Sequence, residues 1–168
     1  MPEKPDNPLL PDDYGRLLGP FLAQAAGYAR SILRNRADAE DAVQQAAMRG
    51  LERLGTFDTG RSFKGWWFSI LRHCCIDMLR HAKSARTVAL DEDQAAVRDE
   101  SDSARWEVLA EAVKQISSEH REILSLRYFG ALSYRELAAA LDIPEGTVMS
   151  RLYCARQALA RQISLEDL

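Results

Sequence analysis

Five side chains able to do chemistry crowd one short stretch: His73, Cys74, Cys75, Asp77 and His81. Imidazole, thiol and carboxylate are the groups that ligate zinc or carry acid–base work. His73, Asp77 and His81 recur every four residues, on one face if the segment is helical. Zinc normally takes at least three converging ligands drawn from more than one segment, so no metal or redox centre is expected, and Cys74 and Cys75 read as small hydrophobes. A different chemistry fits the same stretch better. From Phe63 and Lys64 through Trp66, Trp67, Phe68, Arg72 and His73 to Asp77, Arg80 and His81, aromatic faces are mixed with cations. Separated or flipped bases need that combination, a face to stack on and a charge for the phosphate. The plainer reading makes Trp66, Phe68, Ile70 and Leu71 simply core.

Two other groups stand out. Asp38, Glu40, Asp41 and Gln44 open a helical run. Asp38 is placed to cap it, acids in a first turn suit the helix dipole, and the other three project from the same part of its surface. Taken alone, this is a solvated helix start. Further on, Ser133 to Glu136 has the spacing of a capping box. Leu137, Ala138 and Leu141 face inward, Asp142 and Ile143 turn the chain, and Pro144 suits the first position of the next helix. Two short helices, a tight turn and small residues (Ala138 to Ala140) at the crossing make a helix-turn-helix, whose second helix is expected in the major groove of duplex DNA. Opposite its buried stripe of Val148, Leu152, Ala155 and Leu159 lie Gly146, Ser150, Tyr153, Cys154 and Gln157, flanked by Met149, Arg151 and Arg156. Ser150, Tyr153, Cys154 and Gln157 are candidates for base edges, Arg151 and Arg156 for phosphates. A helical hairpin that binds protein is the alternative.

The elements that must position these groups are all helical. The 168 residues are 46% hydrophobic, and Ala and Leu are abundant, which favours helices; no strand-like alternation is long enough to compete. No run of about 18 apolar residues exists to span a membrane, and no secretory signal is visible. Three cysteines, two of them adjacent, are not a disulfide framework, so a reducing cytoplasm is the expected compartment. Residues 1–13 hold four prolines and are expected to be a disordered tail. Helical periodicity runs from Tyr14 to about Arg86, with breaks at Asn35–Asp38 and Gly55–Arg61. Residues 87–103 are acidic and aperiodic, hence a linker. Helices resume with a stripe of Trp106, Leu109, Val113 and Ile116. A second stripe holds Ile123, Leu124, Leu126 and Tyr128, capped by Ser117 or Ser118 and stopped by Gly130. The net charge of −3 divides unevenly: −3 over residues 1–13, +6 over 14–86, −5 over 87–103 and −1 over 104–168. A basic first domain suits a polyanion. The expected fold class is all-α, two small helical domains joined by a flexible acidic linker.

The order of these segments resembles a known family. An Asp-Ala-Glu-Asp-x-Val-Gln helix (Asp38 to Gln44) comes first. Phe-x-x-Trp, Ile-x-Arg and Ile-Asp-x-x-Arg follow between Phe63 and Arg80, then a linker, then Gly-Thr-Val-x-Ser-Arg-Leu-x-x-Ala-Arg from Gly146 to Arg156. The set is similar to the bacterial extracytoplasmic-function sigma factors, the minimal sigma-70 architecture, over residues 14–162. The resemblance implies a sigma2 domain over 14–86 and a sigma4 domain over 104–168. Asp38, Glu40, Asp41 and Gln44 would dock on the β′ clamp of core RNA polymerase. The loop 57–62 and the following helix would melt and hold the −10 element, with Phe63, Lys64, Trp67, Arg72, His73, Asp77, Arg80 and His81 as contacts. Sigma4 would sit on the β flap and read the −35 element through Tyr134, Arg135, Gly146, Thr147, Met149, Ser150, Arg151, Tyr153, Cys154 and Arg156. The acidic linker would enter the polymerase channel that nascent RNA later takes.

The resemblance further implies a non-enzymatic protein with no metal and no cofactor. It would be monomeric when free, cytoplasmic, nucleoid-associated in the holoenzyme, without membrane insertion, and held inactive by an anti-sigma factor. Several positions depart from the pattern. His73 stands where Asn is common, His81 where Arg is usual, and Met149 and Cys154 where relatives are often basic; Ala42, Ala47 and Leu51 replace larger residues, which implies an altered sigma2 core. The rival readings are a helix-turn-helix regulator acting without polymerase, which leaves the Asp38–Gln44 and Trp66–Arg80 segments unexplained, and an interaction protein that only titrates an anti-sigma factor.

Overall fold

A computed structural model describes residues 9–86 and 103–166; residues 1–8 of the expected tail and nearly all of the expected linker, 87–102, lie outside them. Helix α1 (Pro11–Leu18) begins inside the stretch assigned to the tail. Proline is at home in a first turn, where the amide has no helical partner, and the Asp13 carboxylate accepts from the Leu10 amide at 3.1 Å. A 3₁₀ turn (Gly19–Phe21) leads into α2 (Leu22–Leu33), which ends where Arg34 turns left-handed at φ 55°. Helix α3 (Arg36–Glu52) starts on Asn35, whose side chain accepts from the Asp38 amide at 3.0 Å. The cap is therefore Asn35 and not Asp38. Asn35 has the extended backbone that lets a side-chain oxygen fold back onto the open amides, and Asp38 is already inside the helix. A second 3₁₀ turn (Leu54–Thr56) and a loop to Ser62 precede the long α4 (Phe63–Arg86).

Ala25, Ala29, Ala39, Ala42 and Ala46 are buried where α2, α3 and α4 pack together, and their small side chains let the helix axes approach. Aromatic rings fill the remaining space. Phe21 meets Trp67 at 5.6 Å between centroids and Tyr28 meets Phe68 at 5.9 Å, both edge to face. The Tyr14 hydroxyl accepts from Trp67 Nε1 at 2.8 Å and donates to the Ala47 carbonyl at 2.7 Å, so the indole and the phenol satisfy each other inside the core.

The C-terminal helices are α5 (Ser103–Gln115), α6 (Ser118–Tyr128), α7 (Tyr134–Leu141) and α8 (Glu145–Glu166). Ser117 caps α6 by accepting from the His120 amide at 3.2 Å. The capping box of α7 is complete: Ser133 accepts from the Glu136 amide at 3.2 Å and the Glu136 carboxylate accepts from the Ser133 amide at 2.8 Å. Asp142 turns left-handed to end α7. Pro144 sits one residue before α8, and its carbonyl accepts from Thr147 and Val148. After α6 the left-handed residue is Ala131, φ 51°, rather than Gly130. Gly130 is small for another reason: a Cβ there would lie 2.6 Å from the Leu126 carbonyl and 3.1 Å from the Phe68 ring. Tyr128, expected in the buried stripe of α6, is exposed. The side chain of Trp106 lies outside the described set.

The two halves do not stand apart. Helix α4 packs against α7 as extensively as against α3, and the buried apolar residues from Tyr14 to Ala155 form one cluster. Among the described residues no helix is long and apolar enough to cross a membrane.

Candidate nucleic-acid and polymerase interfaces

On α3, Asp38, Glu40, Asp41 and Gln44 are all exposed. Arg36 Nε donates to Glu40 at 2.8 Å and Gln45 Nε2 to Asp41 at 2.8 Å, so two of the acids are braced by helix neighbours. One to two turns on, Met48 and Leu51 continue this stripe, 65% and 44% exposed. Leu51 is thus a surface residue and not part of an altered core, because the buried face of α3 is made by Ala39, Ala42 and Ala46. A large apolar pair beside exposed acids is what a protein-binding helix presents. The signal was readable as Met48 and Leu51 at helical spacing from Gln44.

Helix α4 has three faces. Toward its own bundle it buries Trp67, Leu71, Cys74 and Cys75. Trp67 was expected at the −10 DNA; with none of its surface exposed and its Nε1 bonded to Tyr14, it is core in this structure. Its neighbour Trp66 is half-buried, in tilted ring contact with Phe57 at 5.0 Å and Phe63 at 5.5 Å. The open face carries His73 and Arg80, and His81 is exposed farther along the helix. His73 Nδ1 donates to the Ser69 carbonyl at 2.6 Å, which turns the ring and leaves Nε2 outward. Asp77 is half-buried, with Arg49 at 3.5 Å. Exposed His73 and buried Cys74 and Cys75 cannot share an ion, and no cluster able to hold a metal occurs among the described residues.

The third face of α4 meets the C-terminal half. Lys64 Nζ donates to the Ala131 carbonyl at 3.0 Å, and Ser62 Oγ donates to the Glu136 carboxylate at 3.3 Å. Arg72 grips Glu122 with two bonds, Nε to Oε1 at 2.7 Å and Nη2 to Oε2 at 3.2 Å. Burial lowers the Lys64 pKa, an effect that nearby Glu136 partly offsets. Gly65 allows the approach: a Cβ there would lie 2.9 Å from Ala139 Cβ and 3.0 Å from the Glu136 carbonyl. Of the eight residues expected at the −10 element, then, His73, Arg80 and His81 are open, and Phe63 and Asp77 are half-buried. Lys64 and Arg72 are engaged by the other half, and Trp67 is inside.

On α8, Val148, Leu152 and Ala155 are fully buried, and Gly146, Met149, Ser150, Arg151, Tyr153, Cys154 and Arg156 are exposed; Thr147 is half-buried. On α7, Arg135 is exposed, and half-buried Tyr134 lies under the Arg127 guanidinium, 5.6 Å from the ring centre. Arg156 is pinned: its Nε donates to the Tyr128 hydroxyl at 3.0 Å, which raises the guanidinium pKa. Folding also brings Glu119 and His120 beside Ser150, Arg151 and Cys154 in a shallow cleft. Sequence spacing offered no sign of that neighbour, since it comes from how α6 crosses α8.

Comparison with known proteins agrees with this geometry in segment order. The family model for sigma-70 region 2 matches residues 17–85, and that for sigma-70 region 4 matches residues 106–159. The chain is 34% identical over 148 residues to the ECF RNA polymerase sigma factor SigL of Mycobacterium tuberculosis, covering 84% of this chain and 82% of that protein. It is 29% identical over 140 residues to the RNA polymerase sigma factor SigV of Bacillus subtilis, covering 83% and 84%. Among solved structures it is similar to the sigma factor RpoE of Bartonella quintana, determined in complex with the anti-sigma factor NepR. The TM-score is 0.74 and the identity 25%, over 91% of this chain and 98% of that one.

Proposed function

This chain belongs to the sigma-70 family, in its extracytoplasmic-function group, and from that premise we propose which of its surfaces meets which part of the promoter complex. As a member it directs core RNA polymerase to promoters and helps to open them. The proposal rests above all on the region 2 and region 4 matches, which follow one another along the chain on a fold whose described elements are all helical. The α3 stripe of Asp38, Glu40, Asp41 and Gln44, extended by Met48 and Leu51, docks on the polymerase clamp. The open face of α4, with Trp66 in the place expected of Trp67, takes the −10 strand together with Phe63, His73, Arg80 and His81. Arg72 and Lys64 join it once released from the other half. Tyr134, Arg135 and the exposed face of α8 read the −35 duplex, while region 4 rests on the flap.

Base contacts on α8 discriminate by about 1–3 kcal/mol each. Unstacking a −10 base costs a few kcal/mol, which stacking on an aromatic side chain can return. Strand opening is therefore part of recognition. An anti-sigma factor is the expected regulator. A helix-turn-helix regulator working without polymerase would leave the region 2 match unused. Run-off transcription with core polymerase on a genomic fragment library tests the reading: discrete transcripts sharing upstream sequence are expected, and their absence would sink it.

A further inference from the structure

Tyr128 lies at the end of α6 with 62% of its surface exposed, and its hydroxyl accepts from Arg156 Nε on α8 at 3.0 Å. The Arg156 guanidinium also lies 5.9 Å from the Tyr128 ring centre. Hydrogen bonding to Tyr128, and in lesser measure to Tyr134, raises the guanidinium pKa. Tyr134 in turn has the Arg127 guanidinium 5.6 Å from its ring centre, and Arg127 Nη1 donates to the Leu132 carbonyl at 2.7 Å. Side chains from α6, α7 and α8 therefore alternate cation and ring in one row: Arg127, Tyr134, Arg156 and Tyr128.

An arginine on a helix surface samples many rotamers, and ordering it on a phosphate costs that freedom. A bond at Nε fixes the plane of the guanidinium and leaves terminal N–H donors for an outside acceptor. Such ordering matters more here than the count of charges. Residues 104–168 carry a net −1, and Met149 and Cys154 bring no cation to the exposed face of α8. With little general attraction for a polyanion, affinity depends on how well each remaining cation is aimed. We propose that Tyr128 is a positioning residue for duplex recognition, its hydroxyl and ring holding Arg156 toward a backbone phosphate of the −35 DNA. This rests on the reading of α8 as the helix that meets the −35 duplex. Tyr128 acts through Arg156 and not on the DNA directly.

The test uses the full chain and a fluorescein-labelled, random-sequence duplex DNA pool, since a phosphate contact carries no base preference. Affinity is read across a salt series. Arg156→Ala weakens binding and lowers the slope of log affinity against log salt by about 1. Tyr128→Phe removes only the hydroxyl and weakens binding about threefold, the scale of one side chain left to be ordered. In the Arg156→Ala background the same change has no further effect. If Tyr128→Phe weakens binding equally in both backgrounds, or lowers only the urea midpoint, the tyrosine does not act through Arg156 and the proposal is wrong. If Arg156→Ala leaves affinity and slope unchanged, the −35 reading of Arg156 has failed and the proposal falls with it. The Arg156 Nε–H resonance reports the contact without DNA. Its exchange with water is slow in the wild type and several-fold faster in Tyr128→Phe; equal rates overturn the proposal.

Discussion

Trp66 and Trp67 are adjacent in sequence but differ in environment, one half-buried and one fully enclosed, because one residue is 100° around a helix. Composition marks both as able to stack on a base, and only the packing against Tyr14 and Phe21 decides that Trp67 is enclosed in the core. The cysteines divide in the same way. Cys154 is exposed, whereas burial, with Cys74 and Glu122 close by, pushes the Cys75 thiol up to about 12. Cys74 and Tyr28 are also raised, chiefly by burial. Between the ordinary thiol value and about 12, the folded chain keeps a proton that the unfolded chain has lost, so stability falls as pH rises through that window. The downward displacement of Lys64 works in the opposite sense and is smaller. Unfolding by urea should show a free energy lower by about 2 kcal/mol at about pH 10.5 than at about pH 8. A flat profile would mean that Cys75 is reached by water. The residue types at these positions were legible in the sequence. Their burial was not, since it depends on contacts tens of residues away.

At the scale of elements, local chemistry decided most of the outcome. The capping box of α7, the Ser117 cap of α6 and the buried stripe of α8 follow from spacing alone. Two misplacements were choices between neighbouring candidates for a terminus: Asn35 against Asp38, Ala131 against Gly130. Several residues near a helix end can satisfy the same amide, and the backbone angle that selects one is not written in residue type. The Ser133 cap has a second duty, because its partner Glu136 also accepts from Ser62 across the two halves. Ser133→Ala should therefore lower stability by about 1 kcal/mol, read as a shift of the urea midpoint at unchanged slope. No shift would mean that packing alone starts α7.

For the whole molecule, the all-helical architecture and its two regions were readable from periodicity and motif order, but their mutual packing was not. No single segment signals that α4 and α7 belong together. Gly65, Ala139 and Gly130 are unremarkable one at a time and matter only face to face. The unequal charge, +6 over residues 14–86 and −1 over 104–168, is consistent with the pairing of Lys64 and Arg72 with acceptors from the other half.

The single core that runs from Tyr14 to Ala155 makes the molecule, in effect, a heterodimer of its own halves held at high local concentration by the chain between them. Covalent continuity should then be dispensable for the closed form. With a specific protease site inserted within residues 87–102 and cut after folding, the two fragments should still elute together in gel filtration at micromolar concentration. Gly65→Leu should let them separate. Fragments of the unaltered interface that part at once would mean that the tether, and not the shared core, keeps the halves together.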